Sequence, residues 1–275
     1  MSNLVVCIGD NCVDMYDTPG RERFVGGNAV NTAVHARETG CGVSYVGCVG
    51  NDDNGRAVTE MLAGRDIDVS HVRSFDEPTA WTRVVLENGE RQFPEEYLGP
   101  AGKYDYSPEL LSFLQAHRVI HNTWQGGTED HLADFRKPEG PYISLDYGER
   151  YSEDFLKKTV GNVDLAFFSS DPEDERDMEA FMESIHEKGP ACVIVTCGRK
   201  GAWCSCPEDG SRRRIFTPAK TIEAVDTLGA GDTFIGTFLG YFAQGYAPEA
   251  CMKKATEAAA ANCLISGGFR DSRIY

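Results

Sequence analysis

No stretch of the 275-residue chain stays apolar for the roughly 20 residues that a bilayer-spanning helix needs, which argues against a helical membrane protein. Basic residues are scarce. The chain has 27 Lys and Arg against 43 Asp and Glu, a formal net charge of −16. That balance argues against nucleic acid or an anionic membrane as a partner. Zinc spacing is missing too: among ten cysteines only Cys204 and Cys206 form a close pair, with no second pair or His at ligand spacing. The run Gly50-Asn-Asp-Asp-Asn-Gly55 lacks the closing Glu of a calcium loop. Neither a Gly-x-Gly-x-x-Gly fingerprint nor a Gly-x-x-x-x-Gly-Lys-Ser/Thr loop occurs, so the dinucleotide and Walker-type readings lack their signatures. Met1 to Ile8 has no basic segment ahead of its apolar run, so no signal peptide is expected. Cys7, Cys48 and Cys192 lie inside apolar runs, as reduced core thiols of a cytoplasmic protein do.

What is present is an alternation. Apolar runs at Leu4 to Ile8, Val43 to Val49, Val119 to His121, Tyr142 to Leu145, Leu165 to Phe168 and Cys192 to Val195 read as buried strands. Between and after them, helical spacing marks Val30 to Arg37, Arg56 to Leu62, Pro108 to Ala116, Thr233 to Phe242 and Pro248 to Ile265. The pattern predicts an α/β fold with a mostly parallel, doubly wound sheet flanked by helices. Pro78 to Phe93 breaks it. Residues there alternate about Asn88-Gly89, a strong hairpin signal, so a small inserted sheet is expected, shared with Val13 to Val25. Arg212-Arg213-Arg214 follows the turn signal Asp209-Gly210 and reads as the solvated edge of another hairpin.

The stretch Asp226-Thr-Leu-Gly-Ala-Gly-Asp232 organises the rest. Gly229, Ala230 and Gly231 let backbone N–H groups approach a ligand, and a buried helix follows. The first N–H groups of a helix have no internal partner and favour an anion. Asp232 places a carboxylate at the same spot, where it would repel a resting phosphate. A base beside an anion hole suits phosphoryl transfer to an alcohol. A merely capped helix is the plain alternative. Asp10, Asn11 and Asp14 follow the first strand, at the end where α/β sheets bind ligands, and would hydrogen-bond a polyol. Gly26-Gly27-Asn28 opens the next helix, with Asn31 one turn in. Trp124, at a glycine-rich strand exit, is expected as a core residue, with stacking on a substrate as the alternative.

These segments resemble, in order, the signatures of the ribokinase-like (PfkB) carbohydrate kinases. Asp226 to Asp232 is similar to the second signature, and Gly26-Gly27-x-x-x-Asn31 to the first. Gly50-x-Asp-x-x-Gly55 and Thr196-x-Gly198-x-x-Gly201 also resemble family motifs. The resemblance implies one ribokinase-like kinase domain over residues 1–275. Lid segments at about 12–25 and 76–98 would close over the substrate and exclude water. It implies ATP and Mg²⁺ as cofactors, Asp232 as general base and Gly229 to Gly231 as anion hole. Asp10, Asp14, Gly26, Gly27, Asn28 and Asn31 would bind the sugar, with Arg83 or Arg91 reaching it from the lid. Thr196, Gly198, Gly201 and Asn262 would hold the nucleotide. Glu173 would attend the metal, and Asp226 a monovalent cation such as K⁺, as its counterpart does in some relatives. Two positions depart from the pattern: Cys12 stands where relatives often carry Asn, and Asn28 where many carry Lys. Within the family the segments look most like the members that phosphorylate O6 of a fructosamine. Fructose, ribose and nucleoside kinases, and a non-catalytic sugar- or nucleotide-binding regulator, remain as alternatives. Lid sheets of this kind often pair, so a homodimer through the lid is a further expectation.

Overall fold

The structure is a computed structural model. It describes residues 3–17, 20–87, 90–149, 151–170, 175–208 and 211–274. The strands and helices run in the order β1 (Asn3–Ile8), β2 (Cys12–Tyr16), β3 (Arg23–Gly26), α1 (Asn28–Glu38), β4 (Gly42–Gly50), α2 (Asp53–Ala63) and β5 (Asp68–Phe75). Then follow β6 (Trp81–Glu87), β7 (Glu90–Tyr97), α3 (Pro108–Leu114), β8 (Val119–Thr123), β9 (Tyr142–Asp146), α4 (Glu153–Thr159), β10 (Leu165–Ser169) and α5 (Glu175–His186). The chain continues through β11 (Cys192–Thr196), β12 (Gly201–Glu208), β13 (Ser211–Pro218), α6 (Ala230–Ala243), α7 (Pro248–Asn262) and β14 (Arg273–Ile274).

A nine-stranded sheet orders β13-β12-β11-β10-β9-β8-β1-β4-β5. From β11 to β5 every neighbouring pair is parallel, while β12 and β13 run antiparallel at one edge. Parallel strands covered on both faces need apolar residues on both, which is why β1 reads Val-Val-Cys-Ile without alternation. Val5 and Cys7 join the core beneath α1, α2, α6 and α7, and Val6 and Ile8 the core beneath α3, α4 and α5. Helices α1 and α6 meet closely because Gly236 carries no side chain: a Cβ there would overlap the Thr32 carbonyl. The arginines of β13 are exposed and paired, Arg212 with Glu183 at 2.8 Å and Arg213 with Glu249 at 2.7 Å, so that edge is charged as expected.

The inserted sheet has five strands, in the order β14-β3-β2-β6-β7. Its β6–β7 hairpin is antiparallel as the alternation predicts; the turn residues Asn88 and Gly89 lie outside the described residues. Strand β14, from the end of the chain, pairs with β3 and carries no signal beyond two residues. Helix α7 ends at Asn262 rather than Ile265. The apolar run continues, but the backbone turns so that the Cys263 carbonyl accepts N–H groups from Val225 and Asp226 at 2.8 and 3.2 Å. Among the described residues no helix is long and apolar enough to cross a membrane.

Candidate active site

The carboxyl ends of β1, β8 and β9 and the N-termini of α1 and α6 meet. Helix α6 starts on Gly229, whose left-handed φ of 70° suits glycine. A side chain there would also strike Gly268, whose Cα would lie 2.8 Å from its Cβ. The Ala230 N–H donates to Thr227 O at 3.3 Å and the Thr233 N–H to Gly229 O at 2.8 Å. The N–H groups of Gly231 and Asp232 lie between these two, at the positive end of the helix.

Asp232 is 9% exposed and accepts a hydrogen bond from Asn31 Nδ2 at 2.8 Å. Burial pushes its carboxyl well above the usual carboxylate range; the Asn31 bond opposes this, and the charges of Asp146, Asp10 and Asp14 add to it. Asp14, on β2, is buried, takes the Cys12 thiol at 3.4 Å, and lies under Gly26, where a Cβ would sit 2.7 Å from its Oδ2. Asp10 caps α1 from the connection between β1 and β2. Its Oδ2 accepts Asn28 N–H at 2.6 Å, and its Oδ1 accepts Ala29 N–H at 3.4 Å and the Thr123 hydroxyl at 2.6 Å. The helix needs that help because its own N-cap residue, Gly27, has no side chain. The Asn28 side chain turns to Gln125 Oε1 at 3.3 Å.

A cavity of about 420 Å³ adjoins this cluster. Thr196, Gly198 and Gly201 line one side and Ala259, Ala260 and Cys263 of the α7 end another. Ala230 and Gly231 belong to its wall, so the start of α6 faces both the cavity and the Asp232 side. Arg199 and Lys220 also line it. Arg199 was legible as a cation inside the Thr-x-Gly-x-x-Gly loop; Lys220 carries no motif.

Several expected positions do other work. Arg83 pairs with Asp17 at 2.8 Å and Glu95 at 3.2 Å. It neighbours Met15 in register, one residue out of phase with the Asp14–Thr82 pair, which puts it on the opposite face of the small sheet from Asp14. Asn262 does not line the cavity: its Nδ2 donates to Leu228 O at 3.1 Å, because α7 ends beside that loop. Asp226 accepts Leu228 N–H at 2.6 Å and Gly267 N–H at 3.1 Å. Trp124 is 39% exposed rather than in the core, because β8 stops one residue before it. Glu173 and the Arg91 side chain lie outside the described residues. Asp146, the last residue of β9, carries no sequence motif. It is buried, its Oδ1 accepts Gly148 N–H at 2.9 Å, and burial followed by the Asp10 charge pushes its carboxyl up to about 6. Cys204 and Cys206 are free buried thiols with sulfurs 3.3 Å apart.

The pfkB family carbohydrate kinase model matches residues 2–121 and 159–271. A fructoselysine 6-kinase of Shigella flexneri is 32% identical over 264 residues, spanning 95% of this chain and 98% of its own. The fructosamine kinase FrlD of Bacillus subtilis is 29% identical over 270 residues, spanning 96% and 92%. Among solved structures, the ribokinase of Arabidopsis thaliana complexed with ribose and ATP superposes with a TM-score of 0.84 at 21% identity, covering 97% of this chain and 94% of that one. The layered sheet with its small second sheet is therefore the ribokinase-like fold, and the chain belongs to the pfkB family of carbohydrate kinases.

Proposed function

We propose that the protein transfers the γ-phosphoryl group of ATP to a primary hydroxyl of a sugar, and that its acceptor is O6 of a fructosamine such as fructoselysine. The observation that carries the reaction type is the placement of Asp232 on a helix start whose Ala230 and Gly231 wall the 420 Å³ cavity. The acceptor rests on the 32% identity to the Shigella flexneri fructoselysine 6-kinase.

The residues suit the partners that this reaction needs. The cavity falls within the size range of small-molecule sites. Its alanines and Ile222 offer an apolar wall to a base, and Arg199 and Lys220 bring positive charge for phosphates. Mg²⁺ arriving with ATP would neutralise phosphate charge and would ask little direct ligation of the chain. Asp232 accepts the proton of the sugar hydroxyl as that oxygen bonds to the γ-phosphorus and the bond to the ADP oxygen breaks, leaving ADP with the electron pair. The N–H groups at the start of α6 hold the moving phosphoryl oxygens. Asn31 aims the Asp232 carboxylate, while Asp14 and the backbone of Gly26 and Gly27 hold the sugar. The five-stranded sheet serves as the lid of one kinase domain, keeping water from competing for the phosphoryl group. Ten cysteines, none in a disulfide, fit a reducing, cytoplasmic setting.

The test is ATP consumption against fructoselysine, fructose, ribose and a nucleoside. Preference for fructoselysine supports the full reading. Preference for a plain sugar keeps the kinase and removes the fructosamine. No consumption with any acceptor contradicts the kinase reading.

A further inference from the structure

The turn that opens α6 is braced by N–H donors on the oxygens that a monovalent cation at Asp226 would use. Asp226 is buried, and two backbone donors face its carboxylate: Leu228 N–H at 2.6 Å on Oδ1 and Gly267 N–H at 3.1 Å on Oδ2. The carbonyl of Leu228, two residues on, accepts the side-chain amide of Asn262 at 3.1 Å, and Asn262 is itself buried. Behind them the carbonyl of Gly268 meets His35 Nε2 at 3.0 Å, and Gly268 is the residue against which Gly229 is packed.

A potassium ion is held where several oxygens turn inward to replace its water shell. The two backbone groups named on Asp226 are of the opposite polarity. The groups named on its carboxylate present N–H, and the loop carbonyl beside it is paired with an amide N–H. The charge that a cation would neutralise is met by backbone donors, which stabilise a buried carboxylate well. These residues do not fit the monovalent-cation site implied by the likeness of Asp226 to its counterparts.

We propose that the Asn262 amide and the Gly267 N–H take the place of a monovalent cation, so that the anion-binding turn keeps its geometry without K⁺. Asn262 is then a positioning residue: it fixes the Leu228 carbonyl, hence the path of the chain into Gly229 and the N–H groups that follow. The catalytic part of this inference rests on the kinase reading; the cation part does not.

The experiment compares the wild-type protein in KCl, NaCl and choline chloride at one ionic strength. A ligand that binds only the native state raises its melting temperature by mass action, so the expected result is the same melting temperature, within about 1 °C, in all three salts. Turnover with ATP and the sugar is expected to agree within about twofold. A rise of several degrees specific to K⁺, or activation by K⁺ of about tenfold or more over choline, would overturn the proposal. Melting needs no turnover, so an inactive protein would count against the kinase reading while melting still decides the cation question. Asn262→Ala should lower kcat about tenfold in every salt with the sugar KM within about twofold, a split that loss of folded protein alone does not give. An unchanged kcat in the folded variant would remove Asn262 from this role.

Discussion

Asn31 Nδ2 donates to Asp232 Oδ2 across 2.8 Å, joining the starts of two helices that lie 201 residues apart in the chain. The bond favours the charged form of a carboxyl that burial, and then its acidic neighbours, push upward. It therefore lowers the pH above which Asp232 can accept a proton.

The acid limb of kcat/KM should lie above the value of about 4 typical of an exposed Asp, because the free Asp232 carboxyl is raised. Asn31→Ala removes the bond that favours the carboxylate. The limb should move to higher pH, and kcat/KM at pH 7 should fall by about tenfold to a hundredfold. A pH–rate profile that keeps its limb in the variant would contradict the pairing.

Asp146 makes the opposite contribution to stability from most carboxylates. Its folded pKa, about 6, lies above the ordinary 3.8, so the native state holds this proton longer than the unfolded chain. The stability linked to it is full below pH 4 and is lost as pH rises through 6, at a cost of up to about 3 kcal/mol. Asp146→Asn keeps an acceptor for Gly148 N–H and should melt above the wild type at pH 8 while matching it near pH 4. Thermal melts at the two pH values decide it; a variant less stable at pH 8 would refute the account.

Gly229→Ala should cost about 1–3 kcal/mol through its left-handed backbone alone, with the contact against Gly268 adding to that. Activity should fall further than stability, since the strain falls on the anion-binding turn. Denaturant unfolding beside steady-state kinetics would show both.

Arg83→Ala removes only exposed pairs and should change stability by less than about 0.5 kcal/mol and kcat/KM by less than about twofold. Lys220→Ala should instead raise the ATP KM about tenfold with little change in the sugar KM, because Lys220 lines the cavity.

These contrasts show where the sequence was informative. The alternating apolar runs and the small-residue turn at Gly229 to Gly231 are local signals, and the large sheet and the helix α6 follow from them. The pairing of Asn31 with Asp232 was legible only as two motifs, since nothing local says that they touch. Asp10 stands at the strand exit where a polyol ligand was expected, yet its carboxylate is taken up by the start of α1, because Gly27 offers that helix no side-chain cap. Arg83 reads like any lid arginine until the register of β2 and β6 places it on the other face from Asp14. Asn262 belongs to a helix that the apolar pattern extends past its true end, so its partner, Leu228 O, could not be inferred. Asp146 carries no motif; its raised pKa is a property of the burial that the assembled sheet creates.

The most direct test of the central claim is phosphorus and proton NMR of fructoselysine and MgATP incubated with the wild type and with Asp232→Asn. The account predicts ADP and a phosphate ester on O6 with the wild type. Turnover in the variant should fall by at least about a hundredfold, while its ATP affinity stays within about threefold. An ester formed at an undiminished rate by Asp232→Asn would contradict the account.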